Sequence, residues 1–122
     1  MSHEFEPLSA QIMEAAIHVH KALGPGFLES IYHSAMKVAL RNRGIRYETE
    51  RTITIIYEGE EVGTHRLDLV VENEIVVELK AVRQLADVHA AQLRSYLKAA
   101  RIHVGLLLNF QAPTLEIKRV VV

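Results

Sequence analysis

The chain has 122 residues, of which 49% are hydrophobic, and 14 Lys and Arg stand against 15 Asp and Glu. That length and apolar fraction suit a single domain with a sizeable core and exclude a disordered chain. The absence of cysteine excludes a disulfide framework and a thiolate metal site and fits a reducing cytoplasm, while the near-neutral balance excludes nucleic-acid binding by bulk charge, so any such contact must be local.

Met1 to Met13 has neither the basic start nor the apolar centre of a signal peptide, and no apolar run is long enough to span a bilayer. The first helix opens at Pro7, a good first-turn residue. It carries Leu8, Ile12, Ala15, Ala16, Val19 and Leu23 at helical spacing until Gly24-Pro25-Gly26 stops it. A second helix carries Leu28, Ile31, Tyr32, Ala35 and Ala39 on one face and ends at Asn42-Arg43-Gly44, where Gly44 suits a left-handed cap. From Ile45 the period changes. Residues 47–57, rich in Thr, Ile and Tyr, read as one or two strands, and Glu58-Gly59-Glu60-Glu61 reads as a turn. Strands follow at 62–71 and 75–81, then a helix over about 88–100 on the spacing Ala91, Gln92, Ser95, Tyr96 and Ala99. A buried strand over 103–110, a break at Pro113 and an edge strand over 115–122 complete the chain. Without repeat or linker, this order predicts one domain over 1–122, an α/β or α+β sheet with helices packed on it.

The stretch HRLDLVVENEIVVELKA, His65 to Ala81, places Asp68, Glu78 and Lys80 inside strand-like apolar runs, where an unpaired charge is expensive. A hairpin centred on Asn73 would oppose Val71 to Ile75, Leu69 to Val77, Asp68 to Glu78 and Arg66 to Lys80. A two-residue loop would instead send the carboxylates to opposite faces. Two opposed carboxylates repel unless a cation or a shared proton intervenes. A divalent cation such as Mg²⁺, with its preference for carboxylates, water and phosphate oxygen, is one resolution, with Lys80 acting on water or phosphate. A structural network with Arg66 and Lys80 is the other.

Further motifs join this hairpin. GFLESIY, Gly26 to Tyr32, matches the pattern of the GxxExxY family. RLDL and VVELKA resemble the metal-binding signature of the PD-(D/E)xK nuclease superfamily, with Leu67 where the superfamily name has proline, and QLRSY, Gln92 to Tyr96, resembles the Gln-xxx-Tyr motif of its RecB-like branch. The resemblance runs from about Leu8 to Val122. It implies a restriction-endonuclease-like core with a central mixed β-sheet flanked by helices. It also implies a Mg²⁺- or Mn²⁺-dependent nuclease acting on DNA or RNA. Asp68, Glu78, Glu29 and the Leu79 carbonyl would then hold metal, with Lys80 as catalytic lysine. Gln92 and Tyr96 would orient the site or touch the nucleic-acid backbone.

Each residue also has a plainer reading. Glu29 suits a helix first turn electrostatically, and Gln92 and Tyr96, four apart, share a helix face that could simply pack on the sheet. The seven histidines show no HExxH spacing and read as surface or locally bonded. Gly24 and Gly26 are not followed by Gly-Lys-Ser/Thr, so they turn the chain rather than cradle phosphate. Two basic sets, Lys80, Arg83, Arg94, Lys98 and Arg101, and Arg41, Arg43, Arg46 and Arg51, could rim a phosphate path or be solvated surface. The competing functions are a metal-dependent nuclease, a non-catalytic module that keeps the nuclease fold to bind nucleic acid or a protein, and an interaction protein, such as a homo-oligomer, with a structural ion network.

Overall fold

The structure, a computed structural model, describes residues 7–122, so the reading of residues 1–6 as lacking a signal peptide falls outside it. Helices α1 (Pro7–Leu23) and α2 (Glu29–Asn42) precede strands β1 (Tyr47–Tyr57), β2 (Glu60–Val71) and β3 (Ile75–Lys80). Helix α3 (Asp87–Ala100), β4 (Val104–Asn109) and β5 (Glu116–Val121) follow. The strands form one sheet in the order β1-β2-β3-β4-β5, antiparallel except for the β3–β4 pair, which is parallel. Parallel neighbours require a crossover, and α3 supplies it.

Local chemistry explains the corners. Gly44 follows the last turn of α2 at φ 70°, and its N–H donates to the Arg41 carbonyl at 3.0 Å, closing the helix in the left-handed manner expected of glycine there. The β1–β2 turn is tighter than the four residues anticipated. Glu58 and Gly59 both take positive φ, the geometry that matches hairpin twist, and β2 begins at Glu60. The β2–β3 loop is Glu72-Asn73-Glu74, and Val71 opposes Ile75, Val70 opposes Val76 and Leu69 opposes Val77, the register of a hairpin centred on Asn73.

Helices cover both faces of the sheet. On one, Ile12, Ala15, Ala16, Tyr32, Met36 and Leu40 of α1 and α2 pack against Leu69, Val77, Leu79, Leu106 and Leu108. On the other, Leu93 and Leu97 of α3 pack against Ile53, Leu67, Val70, Val76 and Leu107. Burial of a leucine of this kind stabilises by roughly 1.5–3 kcal/mol.

Three expected helix faces shift. In α3 the buried residues are Leu93 and Leu97, whereas Ala91, Gln92, Ser95 and Ala99 are exposed. Alanines occur on both sides of this helix, so the larger leucine side chains decide its orientation. In α2, Leu28 and Ile31 are exposed and Met36 and Leu40 are buried in their place. In α1, Leu23 is exposed, and His20 is buried, its Nε2 donating to the Ala112 carbonyl at 2.8 Å. That bond spans 92 residues, so His20 is neither surface-exposed nor locally bonded.

Strand alternation also breaks in the middle of the β1–β2 hairpin. Leu67 and Leu69, two apart in β2, lie in opposite layers, and opposite Asp68 on β1 stands Glu50 with φ 55°. Both strands turn over at this point. Leu67 of the outer half thereby faces α3, while Leu69 and Val71 of the inner half face α1 and α2.

Candidate active site

The same turning point opens the sheet where the charges sit. The β2–β3 ladder runs through Leu69 and Val77 and stops before Asp68 and Glu78. Side chains replace the missing backbone bonds. The Asp68 N–H donates to Glu78 Oε2 at 2.7 Å, and the Leu79 N–H donates to Asp68 Oδ2 at 2.8 Å. Each carboxylate therefore reaches across the gap to the opposite strand, and the two acids meet in the crevice between β2 and β3.

Asp68 opens onto a cleft of about 280 Å³ lined also by Glu29, Ser30, His33, Glu50, Arg66 and Leu79. Glu29 stands at the start of α2, and its Oε2 accepts from the Ala81 N–H at 3.3 Å. Glycine geometry and a tyrosine put it there. Gly26 takes φ 114°, and the buried Tyr32 donates its hydroxyl to the Gly24 carbonyl at 2.6 Å while accepting from the Phe27 N–H at 3.1 Å. Gly26, Glu29 and Tyr32 thus act as one device: the glycine bends the chain, the tyrosine pins the bend, and the glutamate lands over the end of β3.

Glu78 lies behind Asp68 and is only 5% exposed. Burial and the neighbouring Asp68 charge raise its pKa above the ordinary carboxylate value, against the lowering effect of the Asp68 N–H and of His65. His65 Nε2 lies 3.2 Å from Glu78 Oε1, and the His65 ring stacks on Tyr96 with centroids 3.8 Å apart. The Tyr96 hydroxyl is in turn raised by its own burial and by Glu78. On the other side of the crevice, His33 Nε2 donates to the Asp68 carbonyl at 3.0 Å, fixing its backbone from α2.

The structure therefore gathers Glu29, Asp68 and Leu79 at one cleft and sets Glu78 against Asp68. Lys80 continues β3, its carbonyl accepting from the Phe110 N–H at 3.0 Å. Gln92 is exposed on α3, and no hydrogen bond among the described residues ties it to the cleft. Arg66 pairs with Glu50 at 3.0 Å, and among the described residues neither Arg66 nor Lys80 forms an ion pair with Asp68 or Glu78. The expected structural network of those two cations with the two acids is thus not formed. The second basic set is largely spoken for: Arg46 pairs with Glu72, Arg51 with Glu48, and Arg43 donates to the Ala39 carbonyl.

Sequence reasoning passed over His65 and His33. His65 had a weak signal, sitting three residues before Asp68 in the same strand, but its partner Tyr96 is 31 positions away and only the fold joins them.

Glu29 and Asp68 line one cleft with Leu79, and Glu78 lies against Asp68; carboxylate and carbonyl oxygens are the donor type that Mg²⁺ or Mn²⁺ takes. As the side chains stand, no three His, Asp or Glu among the described residues take up metal-ligand spacing, because Glu78 is turned to His65 and the Asp68 N–H. Glu29, Asp68 and the Leu79 carbonyl would be the donors to an ion in the cleft, and Glu78 would have to give up His65 to join them.

A five-stranded mixed sheet with three helices and acids at the open end of its central hairpin is the α+β, restriction-endonuclease-like fold. Residues 6–120 match the family model of the PD-(D/E)XK nuclease superfamily, and the chain belongs to that superfamily. No curated protein matches it. A solved structure described as "Crystal structure of SSO0001" superposes with a TM-score of 0.60, covering 98% of this chain and 79% of that one. At 15% identity that likeness concerns the fold alone. No helix among the described residues is long and apolar enough to cross a membrane.

Proposed function

We propose that this chain is a Mg²⁺- or Mn²⁺-dependent nuclease that hydrolyses phosphodiester bonds of DNA or RNA, a GxxExxY-family member of the RecB-like branch. The observation that carries the reading is the crevice between β2 and β3, where Asp68 and Glu78 meet and, among the described residues, neither forms an ion pair with an arginine or lysine. Like charges placed together in a partly buried site are costly, and a divalent cation accounts for their retention. Asp68, Glu78, Glu29 and the Leu79 carbonyl would hold it. When bound, such an ion supplies a more acidic water and charge stabilisation at the phosphate.

The protein's own side chains do the rest. Glu29, at the start of a helix pinned by Tyr32, sets one wall of the cleft. The Leu79 N–H holds Asp68 Oδ2 and so aims the other oxygen. Lys80 offers its ammonium to the charge developing on phosphate, and Tyr96 and Gln92 orient the site or contact the backbone of the substrate.

The test is cleavage of single-stranded, double-stranded, flapped and RNA substrates with Mg²⁺ or Mn²⁺ and with EDTA. Wild type should cut at least one of them only with metal. Lys80→Ala should keep metal binding and lose most turnover, while Asp68→Ala should lose both. Binding without cutting across the whole screen would support the second reading, a non-catalytic module that keeps the fold to bind nucleic acid or protein. That reading draws on one observation, the engagement of both Glu78 oxygens within the protein.

A further inference from the structure

Beside the metal cleft runs a groove of about 740 Å³ lined by Phe27, Leu28, Glu29, Ala81, Arg83, Gln111, Ala112 and Pro113. Glu29 borders both cavities, and Ala81, whose N–H it binds, lines the groove where β3 ends. The groove is thus the continuation of the cleft along one side of α2's first residue. We propose that it receives an unpaired nucleic-acid strand leading away from the cleft, with a base stacked on Phe27 and an adjacent phosphate at Arg83. This assignment rests on the nuclease reading above and names the form of substrate that the site takes.

Chemistry at the groove favours a single strand. Phe27 is 44% exposed and Leu28 74%, two adjacent apolar side chains on the wall of the groove. Phe27 is nevertheless held: its N–H donates to the Tyr32 hydroxyl, and its ring sits edge to face on Tyr32 at 6.1 Å. A fixed, exposed aromatic ring is a stacking platform that accepts any base, because every base has a π-face. Bases in a duplex are already stacked and do not offer that face. Arg83 is exposed, and no acid among the described residues pairs with it. It differs in this from Arg46, Arg51 and Arg66, each of which has a glutamate partner. An unpaired guanidinium suits phosphate. Gln111, also exposed, offers an amide for a base edge, and its N–H is anchored on Asn109 Oδ1 at 3.2 Å. An aromatic shelf, a free cation and an amide in one groove continuous with the cleft match a strand better than an apolar peptide, which would leave Arg83 without a counter-charge.

The experiment measures binding of a fluorescent single-stranded oligonucleotide, and of the same sequence as a blunt duplex, in Ca²⁺ to limit turnover. Phe27→Ala should weaken single-strand binding on the order of tenfold. Phe27→Tyr should bind like wild type, which separates stacking from loosening of the loop. Arg83→Ala should weaken binding several-fold and make it less salt-dependent by about one phosphate contact. Blunt-duplex affinity should change less than twofold in each. The groove assignment is overturned if single-strand affinity stays within twofold of wild type in both Phe27→Ala and Arg83→Ala, if duplex affinity falls equally, or if the strand fails to bind wild type. None of these outcomes bears on the nuclease reading, which stands or falls on metal-dependent cutting and its loss in Lys80→Ala.

Discussion

His65 lies flat on Tyr96, ring planes within 10° and centroids 3.8 Å apart. Its Nε2 meanwhile faces Glu78 Oε1. One ring thus joins the outer half of the β1–β2 hairpin to α3 and to the buried acid of the crevice. Without the turning over of β2 at Asp68, His65 would point toward the opposite layer and Glu78 would have only the Asp68 N–H.

His65→Ala should therefore cost about 1–3 kcal/mol in urea denaturation, the combined loss of an aromatic stack and a bond to a buried carboxylate. Tyr96→Phe keeps the ring and should stay within about 0.5 kcal/mol of wild type. Lower turnover in Tyr96→Phe at unchanged stability would assign the hydroxyl to the substrate rather than to the fold.

Divalent metal should raise the melting temperature by mass action, about 2.7 kcal/mol at a hundredfold excess over Kd. Asp68→Asn should abolish that response. It should also stabilise the metal-free protein, since one of two neighbouring like charges disappears while an amide oxygen still accepts from the Leu79 N–H. A metal response that survives in both Asp68→Asn and Glu78→Gln would put the ion elsewhere.

The raised pKa of Glu78 has a definite sign in stability. Between the ordinary glutamate value and the raised one, the folded protein holds a proton that the unfolded chain has released. Stability from this group is therefore greatest at acid pH and declines as pH rises through that window. Glu78→Gln should remove the decline, and metal-free denaturation profiles of the variant and wild type should converge at the acid end and separate, with the variant more stable, toward neutrality.

Tyr32→Phe should cost about 1–3 kcal/mol, because the Gly24 carbonyl and the Phe27 N–H lose a shared partner. The ring itself stays stacked on Phe110 at 4.6 Å, so the core should remain intact. Denaturation should report the loss, and proteolysis should accelerate in the 24–28 turn if the hydroxyl pins it as described.

Local chemistry made much of the fold legible. Turn residues and strand composition made the element order legible, whereas the choice between a hairpin centred on Asn73 and a two-residue loop stayed open until the register of the folded sheet decided it. Gly44 was legible as a cap because few residues take positive φ cheaply. The order of the nuclease-like motifs made the superfamily legible, and the family-model match agrees. The parts left to tertiary structure are those in which partners lie far apart in sequence. The packed face of α3 was ambiguous because alanines surround the helix and only contact with the sheet selects Leu93 and Leu97. His20 reads as a surface residue until Ala112 arrives to bond it, 92 positions later. The His65–Tyr96 stack and the reciprocal grip of Asp68 and Glu78 likewise depend on two strands turning over at Glu50 and Asp68. That turn breaks the period of two on which strand reading rests, so it carries no local signature.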